Sequence, residues 1–136
     1  MIASVIYDSG MLIGLVKGSS VATATHEEIS RVARPIVPGP VLAQVWRDGA
    51  HLQAKLSRYL RSCSVRTEYA EADYRNIGVM LGRATSPGKR TPDVIDAVVA
   101  YTAARHQPAA VVTSDSTDII ACLSTIPRAR VLVVPV

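Results

Sequence analysis

The sequence predicts an α/β fold, a mostly parallel central sheet flanked by helices. Three observations predict it. Residues 2–7 (IASVIY), 109–113 (AAVVT) and 130–134 (RVLVV) are short apolar runs with the length and β-branched content of buried strands. Segments with helical spacing separate them, so strands alternate with helices, as in βαβ units. Two of these strands also end on an acid: Asp8 follows the first, and Asp115, behind Ser114, follows the second. Sheets of this kind bind ligands at the carboxyl ends of their strands, where the strand order reverses. If the two strands are neighbours there, both carboxylates meet.

Taken in order, Ser9 and Gly10 open the element after the first strand, and residues 11–16 read as a short helix stopped by Gly18. Ser20 is a candidate cap for a helix over 21–33, with Val21, Ala24, Ile29 and Val32 on its apolar side and Glu27, Glu28 and Arg31 in water. Residues 35–38 (PIVP) form a short extended piece. Pro40 suits the first turn of a helix over 41–47, which Gly49 breaks. The next helix, 51–61, places Leu52, Leu56, Tyr59 and Leu60 on one face. Residues 63–66 read as a strand, 70–84 as a helix with Ala72, Ile77, Met80 and Leu81 inward, and 85–90 (TSPGKR) as a flexible loop. Thr91 then suits an N-cap and Pro92 the first position of a helix that ends at His106, Gln107 and Pro108. A last helix starts near Asp115 and carries Asp118 in its first turn. No repeat or linker divides the chain, so residues 1–136 form one expected domain.

At 136 residues the chain can bury a real core, and 49% hydrophobic content argues against disorder. No apolar run approaches the roughly 20 residues that span a bilayer. The opening MIASVIYDSGMLIGL has no basic leader, and an acid interrupts its apolar run, which argues against a signal peptide. Cys63 and Cys122 have no metal-ligand spacing, and a reduced, cytoplasmic setting is expected. A net charge of +4 permits an acidic partner such as RNA without requiring one.

Asp96 poses the chemical problem. Val94, Ile95, Ala97, Val98, Val99 and Ala100 surround it, and a helix apolar on all sides is usually buried. A buried carboxylate needs a positive partner, yet no Lys or Arg lies three or four residues away, so the partner comes from elsewhere in the fold or is a metal ion. Asp8, Ser114 and Asp115 are each ordinary helix caps taken singly, and Asp93 and Asp118 suit first turns. Asp96 together with the two strand-end acids, Asp8 and Asp115, makes a better case than any one alone, because crowded carboxylates repel one another unless a divalent cation offsets them. Oxygen-only donors point to Mg²⁺ or Mn²⁺ rather than zinc.

Four segments, IYDSGMLIGL, VPGPVLAQV, DVIDAVVAYTAARH and VVTSDSTDI, resemble in order and spacing the PIN-domain ribonucleases, in particular the VapC-type toxins of bacterial toxin–antitoxin pairs, over nearly the whole chain. The resemblance implies a parallel sheet flanked by helices and metal-dependent cleavage of RNA. Carried over by motif position, Asp8, Asp96 and Asp115 are the catalytic and metal-binding acids, with Asp118 as an auxiliary acid on the metal. Thr113 and Ser114 match the polar pair before Asp115. A VapB-type antitoxin and a homodimer are implied partners. The second position departs from the family pattern, a Glu in a P-x-V-L-A-E stretch, because Gln44 stands there. An amide offers a ligand oxygen without the charge. Asp48, one helical turn on, is the alternative donor.

Arg47, Lys55, Arg58, Arg61 and Arg66 stand against a single acid, Asp48, and Arg83, Lys89 and Arg90 cluster around the 85–90 loop. Singly these are solvated faces; as a set they can hold RNA phosphates, with Arg47, Lys89 and Arg90 the candidates. No row of aromatics suits base stacking, and His26, His51 and His106 receive no catalytic role. The expected function is therefore a metal-dependent endoribonuclease acting as a toxin. The alternative is a catalytically weakened protein of the same fold that binds RNA or antitoxin, because of Gln44. A phosphoacceptor receiver domain needs paired acids after the first strand and a Lys after the last; Tyr7-Asp8-Ser9 and VLVVPV supply neither.

Overall fold

A computed structural model describes residues 1–85 and 88–136; Ser86 and Pro87, within the TSPGKR loop expected from sequence, lie outside them. The elements are β1 (Ser4–Tyr7), α1 (Ser9–Val16), α2 (Ser20–Ser30), β2 (Ile36–Pro38), α3 (Gly39–Val45), α4 (Ala50–Leu60), β3 (Ser64–Arg66), α5 (Glu71–Ala84), α6 (Val94–Arg105), β4 (Ala109–Thr113), α7 (Thr117–Leu123) and β5 (Val131–Pro135). The strands pair in the order β3-β2-β1-β4-β5, and every pairing is parallel. The expected α/β fold with a parallel sheet is the fold found. Among the described residues no helix is long and apolar enough to cross a membrane.

The sheet is most deeply buried at its centre, where every residue of β4 and residues 5–7 of β1 are buried. That is why those strands read as unbroken apolar runs: helices cover both faces. Tyr7, Leu12, Val37, Val98, Val99, Val111 and Ile119 belong to the one large core cluster. Chain order leaves β1 for β2 and β3 on one side and returns to β4 on the other. The reversal therefore falls between β1 and β4, and a crevice opens at their carboxyl ends.

Local signals moved several boundaries. Ser19, rather than Ser20, caps α2, accepting from the Ala22 amide at 3.3 Å. The buried face of α2 is Ala22 and His26, with Ile29 partly covered, while Val21 and Val32 are exposed. Of the expected apolar face, Val21, Ala24, Ile29 and Val32, only Ile29 packs against the core. Ala72 in α5 is likewise exposed, and Ile77 and Met80 carry the burial. α3 ends at Val45 because Trp46 turns extended, so Arg47 and Asp48 fall outside the helix.

His26 is the polar core residue that sequence alone undervalued. Its Nδ1 meets Tyr7 Oη at 2.8 Å and its Nε2 meets Ser62 Oγ at 3.0 Å. Ser62 donates its one hydroxyl proton to the Tyr59 carbonyl at 2.8 Å, so it accepts from His26 Nε2–H, and Nδ1 accepts from Tyr7. Burial lowers the His26 pKa against a smaller opposing pull from Glu27, which suits this neutral ring. His26→Phe leaves the buried Tyr7 hydroxyl without its acceptor, and the expected loss is about 2 kcal/mol, read from a urea midpoint. Because the folded-state pKa is depressed, wild type also loses this contribution as pH falls below that of a free histidine, and the variant does not.

Candidate functional site

The register of the central strands builds the crevice. Tyr7 pairs with Val112, so Asp8 and Thr113 face one another one step beyond the last pair. The Thr113 hydroxyl donates to Asp8 Oδ2, and the Met11 amide donates to Oδ1 at 3.0 Å. Asp8 is therefore both the N-cap of α1 and a crevice wall. Burial raises its pKa, and the Thr113 hydroxyl and the Met11 and Gly10 amides oppose that shift. Thr113 also accepts from the Asp115 amide at 3.0 Å, which fixes the turn that presents Asp115.

Gly10 lets α1 approach this turn. A Cβ on Gly10 overlaps Ser114 Oγ and comes within 2.9 Å of Ser114 Cβ and 3.1 Å of its backbone nitrogen. A hydroxyl can rotate away, but the backbone of a structured turn resists. Gly10→Ala is expected to cost about 1–3 kcal/mol by overpacking and to push Ser114 and Asp115 outward. Thermal unfolding measures the first effect, and amide chemical shifts at 114–115 the second. The Asp-Ser-Gly triplet was visible in sequence, but the close approach arises from packing with residues about a hundred positions away.

α6 starts later than the sequence suggested. Thr91 and Pro92 are outside it, and Asp93 is the cap, accepting from the Ile95 and Asp96 amides at 2.8 and 3.2 Å. Asp96 therefore sits in the first turn, half-buried. Of the two partners anticipated for it, a protein cation or a metal ion, the first is not there: among the described residues Asp96 joins no salt bridge. Its pKa is pushed up to about 6, first by burial and then by Asp93, Asp8, Asp118 and Asp115.

α7 also begins two residues after Asp115, with Asp118 in its first turn. Asp118 is buried at 8% exposure, and three donors engage its carboxylate. Arg90 reaches it with both terminal nitrogens at 2.9 and 3.0 Å, and the Asp93 amide donates at 2.9 Å. The Asp93 amide, followed by Arg90, holds the Asp118 pKa below the usual carboxylate range.

Asp8, Gln44, Asp96, Ser114, Asp115 and Asp118 all line one hollow of about 360 Å³, together with Arg90 and Asp93. A neighbouring hollow of about 420 Å³ shares Arg90 and Asp118 and adds Lys89, Pro92 and Thr117. Arg47 and Asp48 line neither. Arg47 donates to the Trp46 carbonyl at 2.6 Å at the end of α3, and Asp48 accepts from the Gly49 amide at 3.0 Å, both exposed. Asp48, the alternative donor to Gln44, is therefore not among the residues that line the hollow. Among the described residues no three Asp, Glu, His or Cys side chains stand close enough to form a ready-made metal cage. The donor chemistry nevertheless fits a hard dication: the acids are all-oxygen donors, and Asp93, Asp8, Asp118 and Asp115 all act on Asp96 as like charges.

No protein-family model matches the chain, and no curated protein matches it. Among solved structures, a chain in the crystal structure of VapBC2 from Rickettsia felis bound to a DNA fragment from their promoter shares the fold. The match covers 100% of this chain and 99% of that one, with a TM-score of 0.73 and 15% sequence identity. The architecture is thus a PIN-like α/β domain.

Proposed function

We propose that this protein is a metal-dependent endoribonuclease acting as the toxin of a VapBC-type toxin–antitoxin pair. The observation that carries the reading is the convergence of Asp8, Asp96 and Asp115 on one crevice at the strand-order reversal, with no cation paired to Asp96 among the described residues. The fold shared with a toxin–antitoxin complex supports it.

Asp8, Asp96 and Asp115 would hold Mg²⁺ or Mn²⁺, with the Gln44 amide oxygen beside them. When bound, such an ion supplies an activated water and stabilises charge on the attacked phosphate and the leaving oxygen. The chain's own residues prepare the site. Thr113 orients Asp8 and holds the Asp115 turn. Lys89 flanks the adjoining hollow and would contact backbone phosphates of the RNA; Arg90 lines the same hollow with its fork held by Asp118, and Arg47 offers a further exposed contact. The partners of this reading are a VapB-type antitoxin, in keeping with the toxin–antitoxin complex that shares the fold, and a second copy of the chain in a homodimer.

One observation favours a second reading, a weakened RNA- or antitoxin-binding protein: Gln44 lines the crevice where a fourth charge is expected. Incubating a total RNA pool with the purified protein and Mg²⁺ or Mn²⁺, then mapping new ends, separates the two. The nuclease reading expects discrete new ends that chelator abolishes. RNA retained but never cut, under saturating Mn²⁺, supports the second reading instead.

A further inference from the structure

We infer that Asp118 is a positioning residue, the clamp between α6 and α7, and not a ligand of the metal. The metal half of this inference rests on the nuclease reading above; the clamp does not. Asp118 lies on α7 three residues beyond Asp115. Its Oδ2 accepts from both Arg90 Nη1 and the Asp93 amide at 2.9 Å, and its Oδ1 accepts from Arg90 Nη2 at 3.0 Å. Asp93 in turn caps α6 and accepts from the Asp96 amide. A continuous hydrogen-bonded path therefore runs from α7 through Asp118 and Asp93 to the backbone of Asp96. It ties together the two supports whose carboxylates repel one another.

The same contacts argue against ligation. A bidentate guanidinium already offsets the Asp118 charge, and a dication on the same carboxylate would stand against that guanidinium. Asp96 differs in kind: among the described hydrogen bonds its side chain accepts none, and it has no ion pair.

The test compares wild type, Asp96→Asn, Asp118→Ala and the charge-balanced double variant Asp118→Asn with Arg90→Gln. The double variant removes one charge of each sign and keeps an oxygen for the Asp93 amide. Calorimetric titration with Mn²⁺ is expected to give it an affinity within about threefold of wild type, because the charge balance and the Asp93 contact are kept, whereas losing a direct carboxylate–cation contact costs at least roughly tenfold. Backbone amide exchange supplies an arm independent of metal. Asp118→Ala is expected to speed exchange of the Asp93 amide roughly tenfold or more, and the double variant to keep its protection. A double variant as impaired toward Mn²⁺ as Asp96→Asn overturns the inference, and so does an Asp93 amide indifferent to Asp118→Ala. If wild type itself takes up no Mn²⁺, the nuclease reading fails, and amide exchange alone decides the clamp.

Discussion

Asp96→Asn is expected to abolish metal-dependent RNA cleavage, by about 10²–10³-fold or more, the scale on which losing one electrostatic stabiliser of the transition state acts. It is also expected to make the metal-free protein more stable. The two effects have one cause. Burial and four neighbouring acids lift the Asp96 pKa from 3.8 to about 6. The folded state therefore holds a proton between roughly pH 4 and 6 that the unfolded chain has released. Stability from this group falls as pH rises through that window, and the penalty is complete above the folded-state pKa. For a half-buried group it is on the order of 2 kcal/mol at neutral pH, worth roughly 5 °C in Tm for a chain of this size. Asparagine keeps the shape and loses the penalty. Its advantage should be present at pH 7 and gone below about pH 4. Melting curves across pH check the stability, and cleavage of the same RNA checks the activity. A variant that melts lower than wild type at pH 7 contradicts the account.

Gln44→Glu is expected to act in the opposite direction. Gln44 lines the same hollow as Asp8, Asp96 and Asp115. A carboxylate there adds direct attraction to a dication, about 4 kcal/mol for unit charges at 4 Å and an effective dielectric near 20. Desolvation and repulsion from the resident acids subtract from it. The net gain is roughly 1–3 kcal/mol, or about ten- to a hundredfold in Mn²⁺ affinity. The same added charge destabilises the metal-free state, so the variant should melt below wild type in chelator and gain more on adding Mn²⁺. Equal Mn²⁺-induced shifts in the two proteins mean that position 44 does not touch the metal. A larger shift without faster RNA cleavage means that the missing charge is not what limits activity.

The strand ends were legible because they obey short-range rules. β1 and β4 are unbroken apolar runs, each with an acid just beyond, and parallel pairing brings those acids to one edge. What sequence did not reveal depends on contacts between distant residues. Thr91-Pro92 is a sound helix start by local preference, yet α6 begins at Val94, where Asp93 caps it and its own amide is held by Asp118. Asp96 therefore carries its penalty in a first turn, from crowding by other acids as well as burial. His26 was unremarkable in a list of histidines; only the fold brings Tyr7 and Ser62 to its two nitrogens. Arg90 looked like a free cation of a basic loop, and the structure spends its fork on Asp118, 28 residues away.

On the nuclease reading, the crevice binds a divalent cation through Asp96. Calorimetric titration of Mn²⁺ into wild type and Asp96→Asn at pH 7.5, above the Asp96 pKa of about 6, measures it most directly. Saturable binding is expected in wild type, and its loss in Asp96→Asn. No binding in wild type, or equal binding in both, contradicts it.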